Sequence, residues 1–187
     1  MKKLQLSKHS KKYIDKYVMV DDDIFEELIK YNWHYVKARK EYAARRDYST
    51  NKPKKILLHR YIYELKYGKI PEELLVDHID GNRLNCQTSN LRLATKSENG
   101  CNIKKQKNNA SGFKGISKYV QKQKMKGKTY IYKRWCAEIS KDQGKRTEKR
   151  YTKYFPYTDD GLAQAKEWYK QKSLELHKDF SIFNKDK

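Results

Sequence analysis

Two-thirds of the net positive charge of this chain lies in fewer than one-third of its residues. Between Lys104 and Lys153 there are 17 Lys or Arg against Glu138, Asp142 and Glu148, a net of +14 out of +21. Like charges at that density do not gather around a large apolar core. The segment therefore reads as a small module facing a polyanion, and nucleic acid is the usual one. A solvated surface or a ribosome-like tail explains the charge alone equally well. Over the whole chain, apolar residues (37%) barely exceed charged ones (36%), so several small cores are expected in these 187 residues. The 16 Tyr supply amphipathic rings for such cores, and an aromatic share of 13% argues against disorder.

Cys86, Cys101 and Cys136 are far apart, with no C-x-x-C pair. That spacing excludes a zinc ribbon and offers no disulfide framework, so no structural zinc and a reducing compartment are expected. The basic start MKKLQLSKHSKK is followed by no apolar stretch. No signal peptide or membrane span is expected, and a soluble cytoplasmic protein remains.

Three zones follow one another. Residues 1–53 form an N-terminal α/β lobe. In it Asp21 or Asp22 can cap a helix with Ile24, Phe25, Leu28 and Ile29 at helical spacing. HYVKARKEYAARR and KPKKILLH read as short strands around a polar turn at Ser49–Pro53, and Trp33 as a core residue. Residues 54–105 begin with a helix, HRYIYELKYG, ending at Gly68. A short strand ending in Asp77-His78, a turn at Asp80-Gly81-Asn82, a strand LRLAT and a helix opened by Thr95 or Ser97 come next. After the linker KKQKNNASG, residues 106–187 read as three strands and a helix capped by Thr158, with Ala165, Trp168, Tyr169, Lys172 and Leu176 on one stripe.

An Asp-His pair at a strand end is by itself more often structural than catalytic. Here His78 is followed by Asn90 twelve residues on and by Asn99 nine later. Together with Leu58-His59-Arg60, the run Val76-Asp77-His78-Ile79-Asp80-Gly81-Asn82, and Asn90-Leu91-Arg92, this spacing resembles the HNH endonucleases. The branch is the phage and intron-encoded homing type whose last motif residue is Asn. The resemblance implies a ββα-metal fold holding one divalent ion, with Asp77 and Asn99 as oxygen ligands. Such a donor set suits Mg²⁺, and Mn²⁺ is able to substitute. It further implies His78 as general base, Asn90 as the residue that braces the loop and orients His78, and Arg60 and Arg92 as DNA contacts. His59 is expected to support catalysis by positioning the loop or touching a phosphate, or else to be a buried structural residue. The chain departs from the family at Leu84-Asn85-Cys86-Gln87, where members commonly read Leu-Asp-Asn-Arg, which bears on loop stability and cleavage rate.

The motifs Ser111-Gly112-Phe113-Lys114-Gly115-Ile116 and Trp135-Cys136-Ala137-Glu138-Ile139, with the helix and Phe180–Asn184, resemble the Apetala/ethylene-response-factor DNA-binding domain. The first hairpin is expanded by QKQKMKGKTYIYK, and Lys153-Tyr154-Phe155 stands where Leu-Gly-x-Phe is usual. This resemblance implies a three-stranded sheet laid in the major groove, with Lys114, Lys118, Arg134, Trp135, Lys141, Lys149 and Arg150 as candidate contacts.

The expected fold is α+β: a small β-rich N-terminal lobe, a ββα-metal core, and a three-stranded antiparallel sheet packed on one helix. The expected function is site-specific, metal-dependent hydrolysis of double-stranded DNA by a phage or mobile-element endonuclease acting in the host cytoplasm. One such centre per chain implies nicking by a monomer, with double-strand cleavage requiring a weak dimer or a second event. An inactive DNA-binding regulator on the same scaffold is the alternative, and an RNA-binding structural protein a more distant one.

Overall fold

The computed structural model describes residues 1–7, 16–37, 41–102, 109–142 and 148–183. Much of the expected linker KKQKNNASG, the start of KRTEKRYTKYF and Asn184 therefore lie outside the described residues. Among the described residues the fold is mixed α+β with four small sheets, in two compact units, Met1–Asn99 and Gly100–Lys187.

In the first unit β1 (Lys2–Gln5) and β2 (Tyr17–Val20) form an antiparallel pair in the register Leu4↔Val18. Alternation turns Leu4, Val18 and Val20 inward. The short helix α1 (Phe25–Leu28) follows, then an antiparallel sheet of β3 (His34–Lys37), β4 (Glu41–Asp47) and β5 (Lys54–Leu57). Helix α2 (Leu58–Tyr67) stops at Gly68, whose N–H bonds the Glu64 carbonyl. The antiparallel hairpin of β6 (Leu75–His78) and β7 (Leu91–Ala94) leads into α3 (Lys96–Cys101), whose last two residues, Gly100 and Cys101, belong to the second unit.

These elements share one core in which Leu28, Trp33, Leu58, Ile62, Val76, Cys86 and Leu91 are buried together. The Trp33 indole N–H donates to the Leu28 carbonyl at 3.0 Å, so its polar handle is satisfied inside. The link between the N-terminal segment and the Asp77–Asn90 region is a backbone one. Met19 N–H donates to Leu84 O, and Cys86 N–H to Met19 O, each at 2.8 Å. Asp21 strengthens it by accepting from the Thr88 N–H (2.7 Å) and hydroxyl (2.6 Å). The sequence offers Asp21 or Asp22 as the cap of α1, but its N-cap is Ile24, without a side-chain bond. Asp21 is drawn away by Thr88, and Asp22 by the terminal ammonium at 2.7 Å.

The second unit is a three-stranded antiparallel sheet, ordered β10 (Glu148–Pro156), β9 (Lys128–Asp142), β8 (Ile116–Met125), packed on α4 (Asp159–His177). Thr158 caps α4, its hydroxyl accepting from the Gly161 N–H at 3.0 Å. Asp159 and Asp160 fill the first turn, where the helix dipole favours anions. Ile116, Trp135, Ala137, Ile139 and Phe155 from the sheet meet Ala165 and Tyr169 of α4 in a second core. The insertion QKQKMKGKTYIYK is regular structure: β8 and β9 run through it and turn at Lys126-Gly127, with φ of 47° and 75°. Positive φ at both central residues is the geometry of a tight hairpin turn matched to strand twist. No helix among the described residues is long and apolar enough to cross a membrane.

Candidate functional site

Asp77 and His78 are consecutive on β6, so their side chains leave opposite faces of the hairpin. Both are buried. Asp77 faces its cross-strand partner Arg92, whose Nε and Nη2 donate to Oδ2 at 3.2 and 3.1 Å. On the other face His78 meets the Cys86 thiol, with Sγ 3.8 Å from Nε2, and the His59 ring at 4.9 Å between centroids. His59, in the first turn of α2, is held between His78 and Tyr42, on which it stacks at 5.4 Å.

This packing keeps both imidazoles neutral. Burial, reinforced by the nearby His78, Arg60 and Arg83, pushes His59 down to about 3. Burial also lowers His78 to about 4, the pull of Asp80 upward being outweighed with the help of Arg83. The Cys86 thiol is pushed up by burial and then by Asp80, so it stays protonated. A neutral His78 can accept a proton, as a general base must, but held near 4 it is a weak base at neutral pH.

The loop between the strands is fastened by two residues. Asn90 is buried; its amide N–H₂ donates to Asp80 Oδ1 (3.0 Å) and Asn85 O (2.8 Å), and its Oδ1 accepts from the Asp80 N–H (3.0 Å). Asp80 in turn accepts from the Asn82 N–H at 2.7 Å and from the Asn85 side chain at 2.8 Å. Asn90 thus acts on the loop that carries the chain away from His78. Asp80 is the hub that sequence reasoning passed over as a turn residue, although its Asp-Gly-Asn setting was a signal.

Helix α3 starts with a reciprocal cap. The Thr95 hydroxyl accepts from the Glu98 N–H at 3.2 Å, and the Glu98 carboxylate accepts from the Thr95 N–H at 2.8 Å. It carries the half-buried Asn99, whose N–H bonds Thr95 O at 3.0 Å. No group of three His, Cys, Asp or Glu among the described residues could hold a metal ion. An ion here would rest on one carboxylate, Asp77, and one amide oxygen, Asn99. Such hard oxygen donors suit Mg²⁺, which keeps several waters. The donor atoms are of the right kind, but Arg92 already sits as a cation on one Asp77 oxygen, with which such an ion would compete.

The remaining predicted contacts are dispersed. Arg60 sits in the first turn of α2 and Arg92 on β7, engaged with Asp77. In the second unit register sorts the sheet into two faces. Trp135, paired with Lys118 and Phe155, lies on the side of α4, buried, with its indole donating to Thr158 O at 3.1 Å. Lys118, Lys141 and Lys149 share that side by alternation, and the Lys118 ammonium lies 5.1 Å over the Tyr157 ring. Arg134 and Arg150 occupy the opposite, outer face, where Arg150 approaches Glu138 at 3.5 Å. Lys114 is turned inward: its ammonium donates to Cys101 O at 2.7 Å and Gly100 O at 3.2 Å.

A 69-residue stretch is 44% identical to Protein 3.8 of Escherichia phage T7, covering 37% of this chain and 57% of that protein. Over 65 residues the chain is 51% identical to Uncharacterized HNH endonuclease L560 of Acanthamoeba polyphaga mimivirus, covering 34% of this chain and 33% of that one. The chain thus spans just over half and one-third of the lengths of these relatives. No solved structure gives a significant match. Residues 57–101, which contain the β6–β7 hairpin, Asn90 and α3, match the family described as HNH endonuclease.

Proposed function

We infer that this chain is a metal-dependent endonuclease that hydrolyses phosphodiester bonds of double-stranded DNA, of the homing type carried by phages and mobile elements. The observation that carries the reading is Asp77 and His78, side by side on a buried hairpin and followed by a capped helix bearing Asn99, within the segment matching the HNH family. His78, neutral in its packed setting, takes the proton from the attacking water. His59 and Cys86 hold that ring in orientation, and Asn90 keeps the adjoining loop in shape. Asp77 and Asn99 would hold a divalent ion, Mg²⁺ or Mn²⁺, which supplies charge for the phosphorane and the leaving 3′ oxygen. The second unit, with its net positive charge, serves as the DNA-binding module, similar to an Apetala/ethylene-response-factor sheet, and Arg134 and Arg150 are its first contacts.

The grip of Arg92 on Asp77 favours a second reading, a DNA-binding regulator that does not cut. Plasmid cleavage with and without Mg²⁺, comparing the unaltered chain with His78→Ala and Asp77→Ala, separates the two. Metal-dependent nicking lost in both variants, with binding retained, supports the endonuclease. Binding without cleavage, on DNA containing the target and across several divalent metals, leaves the regulator.

A further inference from the structure

The β8–β9 hairpin extends past the part of the sheet that α4 covers. Every residue from Ser117 to Arg134 is exposed, on both faces of the two strands. Seven of these are Lys or Arg and none is acidic. Yet Tyr119, Val120, Met125, Tyr130, Ile131 and Tyr132 stand in water among them. Exposed apolar side chains on both faces of one arm call for a partner, and its cations call for an anionic one.

Register divides the arm into two chemistries. Tyr119 pairs with Arg134, Gln121 with Tyr132 and Gln123 with Tyr130, all on the outer face. This face continues onto the sheet through Tyr154, whose ring lies 5.0 Å from that of Tyr119. The reverse face carries Lys118, Val120, Lys122 and Lys124 with Lys133 and Ile131. Primary amides are base-edge readers, glutamine pairing with adenine through two hydrogen bonds, and tyrosine hydroxyls donate to phosphate and sugar oxygens. Lysines on long stems reach the phosphates at the rims of a groove. From Tyr119 to Met125 the arm spans about 20 Å, and two strands about 5 Å apart fit the roughly 12 Å width of the major groove.

We propose that this arm is a DNA-reading element in its own right. It lies along the major groove of a duplex, its tyrosine–glutamine face against base edges and its lysines on the flanking phosphates. The inference rests on the DNA-binding role of the second unit, and it is independent of cleavage.

The test uses the full chain and a randomised duplex pool, followed by titrations of the selected sequence against an unrelated one at several salt concentrations. Gln121→Ala with Gln123→Ala should lower the preference for the selected sequence about 10-fold or more, with the salt slope kept. Lys122→Ala with Lys124→Ala should weaken binding to both sequences alike and reduce the slope by about two. On the unaltered protein, guanines under the arm should be protected at N7 from dimethyl sulfate, because that atom opens to the major groove. Both double variants matching the parent in preference and slope, or no N7 protection beyond the sheet, overturns the proposal. Binding with these effects but without cleavage removes the endonuclease reading and leaves the arm standing. Failure of the unaltered chain to bind DNA removes both.

Discussion

Arg92 and Asp77 face each other across the β6–β7 hairpin, with the guanidinium Nη2 3.1 Å from the carboxylate. Their side chains are 17% and 8% exposed, so this is an ion pair largely removed from water. Its partners are worth far more together than either is alone, because each would leave the other as an unpaired buried charge. Arg92→Ala and Asp77→Ala should each destabilise the first unit by about 3–5 kcal/mol. The double variant should cost clearly less than the sum, as urea denaturation would show. Additive losses would mean that the pair is not coupled in solution. A further consequence concerns activity: loss of cleavage in Asp77→Ala must be read beside its melting curve, since stability and chemistry fall together there.

The buried histidines make the fold sensitive to acid. Unfolded, both imidazoles titrate near 6.5; folded, His59 is held to about 3 and His78 to about 4. Below 6.5 the unfolded chain therefore binds more protons, and acid favours it. The contribution of these neutral rings is complete above 6.5 and is lost progressively as pH falls from there toward about 4. The denaturation midpoint should decline steadily across that window. His59→Phe, which keeps a ring between Tyr42 and His78, should flatten the decline. A midpoint level from about pH 7 to about pH 5 would show that the rings are solvated rather than packed.

What could be read ahead of the structure was whatever is written in short-range pattern. The Asp77-His78 strand end, the Thr158 cap and the core position of Trp33 each follow from neighbours within a few residues. Contacts that close over long separations leave no such pattern. Asp21 looks like a helix cap until Thr88, 67 residues away, takes its carboxylate. Arg92 is expected as a DNA contact, and only strand register shows that it also lies opposite Asp77. Trp135 reads as either a core or a contact residue, because alternation tells that two faces exist without telling which one α4 covers. The expanded hairpin reads as a hairpin, but how far its strands run does not show, since its lysines hide the period of two that Tyr119, Gln121 and Gln123 keep.

Gly115 is a tight point of the second unit. Its φ is +73°, and a Cβ there would fall inside the Tyr169 ring, which is itself packed edge-on against Phe113. Gly115→Ala should cost about 1–3 kcal/mol in backbone strain and about as much again in displaced packing. Gly127, at φ +75° in the arm turn, meets nothing within 4 Å. Gly127→Ala should therefore show the strain alone. Comparable melting losses in the two variants would mean that Tyr169 swings away at little cost.

Lys114 separates a structural cation from a DNA-facing one. Its ammonium closes the last carbonyls of α3, those of Gly100 and Cys101, and burial pulls its pKa down. Beside it the Cys101 thiol lies 3.2 Å from Nδ1 of His177 at the end of α4. A lysine so engaged is expected to neutralise no phosphate. Lys114→Met should thus leave the dependence of DNA affinity on salt unchanged, whereas Arg134→Ala, on the exposed outer face, should reduce the slope by about one. The same Lys114→Met change removes charge-assisted bonds worth about 1.5–3 kcal/mol, and the end of α3 should fray. Faster labelling of the Cys101 thiol reports that fraying, since Cys86 and Cys136 are buried. A slope that drops by about one in Lys114→Met, with Cys101 labelling unchanged, would instead place this ammonium on the DNA.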